Sequence, residues 1–594
     1  MVADRLESVR RYLENKGLSA LIVPSNDSHF GEYIQGYYKC REWLSGFTGS
    51  AGTLVVTLKA AALWTDSRYF VQAEEQLRGS GIELKKIKIP GTESIEEWIS
   101  AVLKPGEAAG IDADLISVSE HKTMAEALGN INLKLIEDPF NQIWQSRPPL
   151  KNFPIRVLGD SITGESTVSK HSRFLEKLGF KGDFAYIVTS CDESAWLCNV
   201  RGIDVEYNPL PLVYSVIERE KITLFCSLES IGTDEWEYLN SRGVDLMDYK
   251  IFPEFLKCFG EGCTVIAPES KISASVYSMA TSAGAKFIPD TLRGGIIAQL
   301  KSIKNEIEEE GFRKAHILDG AAWVRYLKFI DDSQKSGKPM NEVMLAQKLI
   351  EFRKYSEFYL DESFEPIVAT AANGAMPHYS PDPENPKKIG EGFLLTDMGA
   401  HYLFGTTDTT RTLYIGEPSD EERRDYTAVL RGMINLTTAI FPKGTRGSSL
   451  DFLARGEVCS REKLYLHGTG HGVGHSLPVH EGPQSIRMEE NPVTIEPGMV
   501  LSNEPAIYCE GRYGIRTENL ILCKRKSLNS YGEFFNFETL TLVPIEKKSI
   551  DIAMLDRRHI EWLNDYHDRV LKELSPLLNA EEIAWLSERC SKID

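Results

Sequence analysis

The chain contains no uninterrupted apolar run approaching the ~18 residues that cross a bilayer, which excludes a helical membrane protein. Its opening stretch, RLESVRRYLENKG, is charged and helix-like and lacks the apolar centre of a secretory signal. Basic charge is scarce: 67 Lys and Arg stand against 86 Asp and Glu, a formal charge of −19. Nucleic acid and anionic membrane would repel such a surface, so neither is expected as a partner. The ten cysteines are scattered, and the closest pairs, Cys191/Cys198 and Cys258/Cys263, lack the C-x-x-C spacing of zinc and redox sites. Reduced thiols in a cytoplasmic protein are the expected state. No low-complexity linker interrupts the sequence.

What is present is an ordinary globular composition, 42% hydrophobic and 26% charged. At 594 residues the chain exceeds one hydrophobic core. Strand-like and helix-like patterns alternate, which defines an α/β (α+β) chain. Three parts are expected, over residues 1–153, 154–300 and 301–594. The first opens with a helix, then a buried strand (LSALIVPS), glycines at 46, 49 and 52, and a strand-rich run (TLVVTLKAAALWT). The proline-marked stretch WQSRPPLKNFP, residues 144–154, reads as a junction. The second part echoes the first: Ile22-Val23-Pro24-Ser25-Asn26-Asp27 and Ile187-Val188-Thr189-Ser190-Cys191-Asp192 share I-V-x-S-x-D at an offset of 165 residues. The third part begins with a helical pattern over residues 301–330, and Ile560 to Leu578 reads as another amphipathic helix.

Six of the twelve histidines fall between His378 and His480, which marks the third part as the chemically active one. Three elements there carry acidic or imidazole groups. In GFLLTDMGAHYLFGTTDTTRTLYIG (residues 392–416), two strand-like runs flank a Gly-containing bend; Asp397 ends the first and Asp408 falls in the second. Alone, each aspartate would read as a turn or surface residue. In YLHGTGHGVGHSLPVHEGP (residues 465–483), four alternating glycines let the backbone pass close to something. It has neither dinucleotide nor phosphate-loop spacing and is not H-E-x-x-H. Four histidines within fourteen residues make an unusual core, with His475 the best candidate for an ordinary buried one. In MVLSNEPAIY and YGIRTENLIL, Glu504 precedes a proline at a strand end and Glu518 reads as a strand residue between Ile515 and Leu520. Buried carboxylates require cations or metals, since burial without a partner costs several kcal/mol.

Asp397, Asp408, Glu504, Glu518 and His471 make an oxygen-rich donor set that suits Mn2+ or Co2+, with Fe2+ or Zn2+ possible, rather than a thiolate-type structural zinc. Carboxylates can bridge two metals ~3.5–4 Å apart, clamping one hydroxide and polarising a carbonyl. His378, His467 and His480 are then available to stabilise an oxyanion or move protons.

With these residues in place, the chain resembles the Xaa-Pro aminopeptidases (aminopeptidase P) of metallopeptidase family M24, in their long, three-domain cytosolic form. SGFTGSAG (residues 45–52) and LWTDSRYFVQAEEQL resemble the first domain, KNEIEEEGFRKAHILDGAA the entry to the catalytic domain, and FFNFETLTLVPI and WLNDYH the C-terminal part. The resemblance implies two creatinase-like N-terminal α/β domains followed by a pita-bread catalytic domain with a C-terminal extension, usually loaded with Mn2+ and often a homodimer. It implies that Asp397 holds one metal, that Asp408 and Glu518 bridge both, and that His471 and Glu504 complete the other site. Glu504 would also be the general base. His378, within AMPHYSP, resembles the proton-handling histidine beside the scissile bond, and His467 and His480 the family's other active-site histidines. Tyr508 and Arg516 resemble side chains that reach the substrate from behind the ligands.

The implied reaction is hydrolysis of the bond before a proline in the second position, releasing the first residue. The nearest rival is a prolidase restricted to Xaa-Pro dipeptides; the middle domain and the nine-residue step from His471 to His480 favour the aminopeptidase. Creatinase-type relatives lack the metal ligands. A non-catalytic peptide-binding module of the same fold is disfavoured because all five ligands are present. Two departures from the family pattern stand out: Phe404 replaces an acidic residue before Gly-Thr-Thr, and Ser502-Asn503-Glu504-Pro505-Ala506 replaces Thr-Asp-Glu-Pro-Gly. Altered loop packing and altered tuning of the site are the respective expectations. His401 and His475 receive no role.

Overall fold

In the computed structural model, which describes residues 2–593, helices and strands alternate throughout. Two compact units form: the chain up to Gly159 with Glu165–Gln299, and Asp160–Gly164 with the chain from Leu300 onward.

The first unit opens with the helix Val2–Lys16, which buries Leu6, Val9, Tyr12 and Leu13 at helical spacing along one face. The next strand, Ala20–Val23, is buried at all four positions, as an all-apolar run requires. The run TLVVTLKAAALWT divides into the antiparallel pair Thr53–Thr57 and Ala61–Thr65. In space the six-stranded sheet reads Glu83–Lys86, Ala61–Thr65, Thr53–Thr57, Ala20–Val23, Ala108–Asp112, Asn132–Ile136. A second six-stranded sheet reads Val244–Asp248, Ile222–Cys226, Tyr214–Ile217, Phe184–Val188, Thr264–Ala267, Lys286–Pro289. In chain order both sheets run four, three, two, one, five, six. In both, the first strand is antiparallel to the second and parallel to the fifth. Ile22-Val23 and Ile187-Val188 fall on the same central strand of each. The short I-V-x-S-x-D echo is thus the trace of a repeated topology.

The second unit departs locally from the pattern reading. The helical signal over 301–330 is split into Gly295–Ser302 and Glu306–Lys335. Asn305 accounts for the break, because its side chain accepts the backbone N–H of Ile307 and Glu308 while Glu308 closes a capping box. The C-terminal helix runs Arg557–Leu574, and a further helix, Ala580–Arg589, follows a 3-10 turn. Between these lie a three-stranded sheet (Ile367–Thr370, Gly392–Asp397, Thr410–Ile415) and a six-stranded one. The larger sheet reads Ile440–Pro442, Gly532–Thr539, Asn519–Asn529, Val500–Asn503, Gly470–Gly472, Glu481–Ile486. Two helix pairs pack against these sheets, Glu306–Lys335 with Glu342–Arg353 and Asp420–Thr437 with Gly447–Cys459. Trp323, Tyr326, Leu430, Met433 and Tyr513 belong to the core beneath them. Truncating a fully buried Trp such as Trp323 costs about 3–5 kcal/mol. Among the described residues no helix is long and apolar enough to cross a membrane.

Candidate metal centre

Asp397 closes the strand Gly392–Asp397. Its partner strand begins at Thr410, so Asp408 lies in the connection and not within the second strand as the pattern implied. Glu518 likewise occupies the gap between Tyr513–Arg516 and Asn519–Asn529 rather than a strand interior. One physical reason covers both corrections: an acidic residue is disfavoured inside a pleated ladder, and leaving the ladder releases its carboxylate from strict face alternation. Glu504 directly follows the strand Val500–Asn503, and its N–H donates to the Thr469 carbonyl at 2.8 Å. His471 is the middle residue of Gly470–Gly472, at an irregularity in pairing with Glu481–Ile486. The flanking glycines are required there. A Cβ on Gly470 would sit 2.1 Å from the Ser502 carbonyl oxygen, and one on Gly472 2.2 Å from the Gln484 amide.

The side chains converge. Ligand atoms of Asp408, His471 and Glu518 all lie within 4.8 Å of one another. His471 Nε2 is 3.4 Å from Asp408 Oδ2 and 3.7 Å from Glu504 Oε1. Its Nδ1 faces the Gly472 carbonyl at 2.9 Å, which places the proton on Nδ1 and leaves Nε2 as the donor atom. Glu518 Oε2 accepts the Thr410 hydroxyl at 2.7 Å, and Thr410 Oγ1 in turn accepts Arg516 Nε at 3.0 Å. Arg516 also pairs with Asp397 Oδ2, joining the fourth carboxylate to the rest. The other Asp397 oxygen is buried and has no hydrogen-bond partner.

The electrostatics show what is missing. Burial is the largest influence on Asp397 and, with Asp408 nearby, lifts it to about 6 against the pull of Arg516. Burial raises Glu504 to about 7, opposed by His471 and Arg516. Glu518 is pushed well above the carboxylate range by burial, then by Asp408, Asp397 and Glu504. Burial lowers the His471 pKa, but Asp408 and Glu504 outweigh it and raise the group to about 9. Several buried carboxylates facing one another, one with an orphaned oxygen, are the environment a divalent cation relieves. The donor set therefore fits hard divalent metal ions.

The remaining residues form a shell. His467 Nε2 is 2.9 Å from the Tyr508 hydroxyl, which accepts Arg516 Nη1 at 2.6 Å. His467 thereby connects through Tyr508 and Arg516 to Asp397. His467 Nδ1 is also 3.8 Å from Glu504 Oε2. The His480 ring stands edge-on to His471 with centroids 4.3 Å apart. His378 is half-buried on the chain that follows the 3-10 turn Ala371–Ala375. Its neighbour Tyr379 donates to Glu342 at 2.7 Å, and Glu342 also accepts from Thr370 N and Asn373 Nδ2. Glu342, Thr410 and the buried Arg411, which donates to the Thr410 and Glu518 carbonyls, escaped the sequence reading. Thr410 and Arg411 in TTRTL carried one legible signal, a polar run at the start of an otherwise apolar strand.

The departures and unassigned histidines face elsewhere. Asn503 donates to the Met433 carbonyl and the Thr437 hydroxyl, on a helix away from the cluster. Phe404 packs on Phe358, with ring centroids 5.1 Å apart, and against the cluster of Ala315, Ala400 and Tyr402. His401 Nδ1 is 3.0 Å from Thr406 Oγ1. His475 is buried against Phe312, with Glu308 4.0 Å away.

The buried carboxylates and imidazole define a metal-dependent enzyme centre, and known proteins place it. The family model for metallopeptidase family M24 matches residues 310–525, and that for the C-terminal region of peptidase M24 matches 533–593. Creatinase/Prolidase N-terminal domain models match residues 5–143 and 146–308. The probable Xaa-Pro aminopeptidase P of Laccaria bicolor is 36% identical over 602 residues, covering 99% of this chain and 93% of the relative. Aminopeptidase P2 of Arabidopsis thaliana is 35% identical, covering 99% and 88%. A crystal structure of X-prolyl aminopeptidase from Caenorhabditis elegans, described as a cytosolic enzyme with a di-nuclear active site, superposes with a TM-score of 0.95 at 32% identity, covering all of both chains. The chain is a metallopeptidase of family M24 and, within it, belongs to the Xaa-Pro aminopeptidases. Its fold is two creatinase-like N-terminal domains followed by the M24 catalytic domain.

Proposed function

We propose that the chain removes the N-terminal residue from peptides with proline in second position, using two divalent ions held by Asp397, Asp408, His471, Glu504 and Glu518. The observation that carries this reading is the convergence of these donors on one buried place, in a chain whose full-length relatives are named for Xaa-Pro cleavage. Asp397 would hold one ion, Asp408 and Glu518 would be shared, and His471 and Glu504 would complete the second. Mn2+ is the favoured ion, with Co2+ or Zn2+ as substitutes. When bound, such ions supply Lewis acidity toward the scissile carbonyl and make water acidic enough to attack near neutral pH.

The chain's own groups do the rest. Glu504 takes the proton of the attacking water, and a proton reaches the prolyl nitrogen by way of His378 as the peptide bond breaks. His467, tied through Tyr508 to Arg516 and lying beside Glu504, would contact the substrate together with them. His480 orients beside His471, and His378 handles the proton at the leaving side. We assign the parts as residues 1–153, 154–300 and 301–594, the last catalytic, and expect a cytoplasmic homodimer.

The test is hydrolysis of Arg-Pro-Pro, Gly-Pro and Ala-Ala-Pro by Mn2+-loaded protein. Release of arginine from Arg-Pro-Pro with little action on Gly-Pro is expected. Cleavage confined to Gly-Pro would make the enzyme a dipeptidase instead.

A further inference from the structure

We infer that Arg353 and Asp319 are positioning residues for the metal centre: their buried ion pair sets how far apart Asp397 and Asp408 are held. This rests on the assignment of those two aspartates as metal ligands above.

The two aspartates are joined by residues 398–407, which fold into the small hairpin Ala400–Tyr402 with Gly405–Thr406. Arg353 ends the helix Glu342–Arg353 and is fully buried. It donates Nη2 to the Met398 carbonyl at 3.1 Å and Nη1 to the Gly399 carbonyl at 3.0 Å, the two residues after Asp397. Its Nε donates to Asp319 Oδ1 at 2.8 Å, and Nη1 also pairs with Glu362. Asp319, on the helix Glu306–Lys335, accepts the Thr407 hydroxyl at 2.9 Å, and Thr407 immediately precedes Asp408. Tyr402 within the hairpin donates to the same carboxylate at 3.2 Å. A guanidinium thus grips the start of the connection and its partner carboxylate grips the end.

Cross-links close the ring. Thr407 Oγ1 accepts the Ala400 N–H at 3.0 Å, Ser363 Oγ donates to the Thr407 carbonyl at 3.0 Å, and Ser363 N donates to the Gly399 carbonyl at 3.0 Å. The packing leaves no slack, since a Cβ on Gly399 would lie 2.2 Å from both Ser363 Oγ and the Thr407 carbonyl oxygen.

Stability alone does not explain this arrangement. A buried ion pair can often be exchanged for apolar residues without loss, so it is weak evidence of a stabilising role. What an apolar pair could not do is hold two carbonyls and a hydroxyl at fixed points. Groups behind metal ligands fix ligand orientation, and their loss typically weakens metal binding.

The test uses the full-length chain, stripped with a chelator and titrated with MnCl2 by calorimetry, with melting temperature and Arg-Pro-Pro kinetics measured alongside. Thr407→Val removes the Asp408-side grip, together with the Ala400 N–H cross-link, while keeping the side-chain shape. We expect its Mn2+ affinity to fall about 10- to 100-fold. Its KM for Arg-Pro-Pro is expected to hold and its kcat to recover at saturating Mn2+, while Thr407→Ser binds as wild type does. Arg353→Met is expected to weaken Mn2+ binding further, and if that variant does not fold, Thr407→Val carries the test. Wild-type Mn2+ affinity in Thr407→Val, whatever its melting temperature, overturns the inference. A wild-type chain that binds no Mn2+ overturns the ligand assignment itself, and the inference with it.

Discussion

Two buried acidic groups in the catalytic unit are alike in burial and opposite in balance. Around Arg353, the side chains of Asp319 and Glu362 are almost inaccessible, and both are met by one guanidinium. Burial lifts Glu362 to about 7, with Arg353 pulling it down, so two carboxyl groups answer one guanidinium there. Around His471, Asp397, Asp408, Glu504 and Glu518 share a single guanidinium, Arg516, and two of them face the imidazole. The difference shows how to tell a structural cluster from a functional one. Compensated charge holds backbone in place; uncompensated charge is a demand for a cation that the chain does not itself supply.

That contrast can be broken most severely at Glu504. We expect Glu504→Gln to reduce turnover of Arg-Pro-Pro by at least about 10²-fold, the usual contribution of a general base, with secondary structure intact. Near-normal kcat would remove its assigned role. Next in size is the compensated cluster: Asp319→Leu leaves Arg353 buried with fewer partners and should cost about 3–5 kcal/mol by denaturant unfolding. Asp408→Asn, by contrast, relieves repulsion and should raise the melting temperature of the chelated protein. Equal losses in the two variants would erase the distinction drawn between the clusters.

A pH series sharpens it further. Because the folded-state pKa of Glu504 is raised to about 7, the folded chain keeps a proton that the unfolded chain has released. Its contribution to stability therefore falls as pH rises from the ordinary carboxylate value toward about 7. In chelated protein the melting temperature of Glu504→Gln relative to wild type should increase between pH 5 and pH 7.5. A flat difference would contradict the raised pKa. The smallest effect is expected at Tyr508, whose hydroxyl contacts His467 and Arg516. Tyr508→Phe should lower kcat/KM by roughly tenfold, the value of one hydrogen bond to a charged group, with Mn2+ affinity unchanged.

Much of this was legible in the sequence because it is local. Glycine spacing in HGTGHGVGH announced close backbone approach, and the I-V-x-S-x-D echo marked a repeated topology whose matching strand orders the structure displays. Carboxylates in β-rich runs pointed to oxygen-ligand chemistry. The strand placements of Asp408 and Glu518 failed because breaks of two or three residues between strands, 517–518 and 407–409, leave no periodicity signal. Arg353 was invisible for another reason. Its partners lie 34, 45 and 46 residues away in sequence, at Asp319, Met398 and Gly399. Nothing in a lone arginine at a helix end foretells them. Asn503 stands beside Glu504 in sequence, yet strand alternation turns its side chain toward Met433 and Thr437, a direction that the motif alone does not reveal.

The most direct measurement is the number of Mn2+ ions bound per chain at saturation, by calorimetry with elemental analysis, in wild type and in Asp408→Asn. We expect two ions in wild type, as a dinuclear centre requires, and fewer in the variant with loss of Arg-Pro-Pro hydrolysis. A wild-type chain that cleaves Arg-Pro-Pro at full rate with no divalent ion bound would contradict the assignment of this acidic cluster as a metal centre.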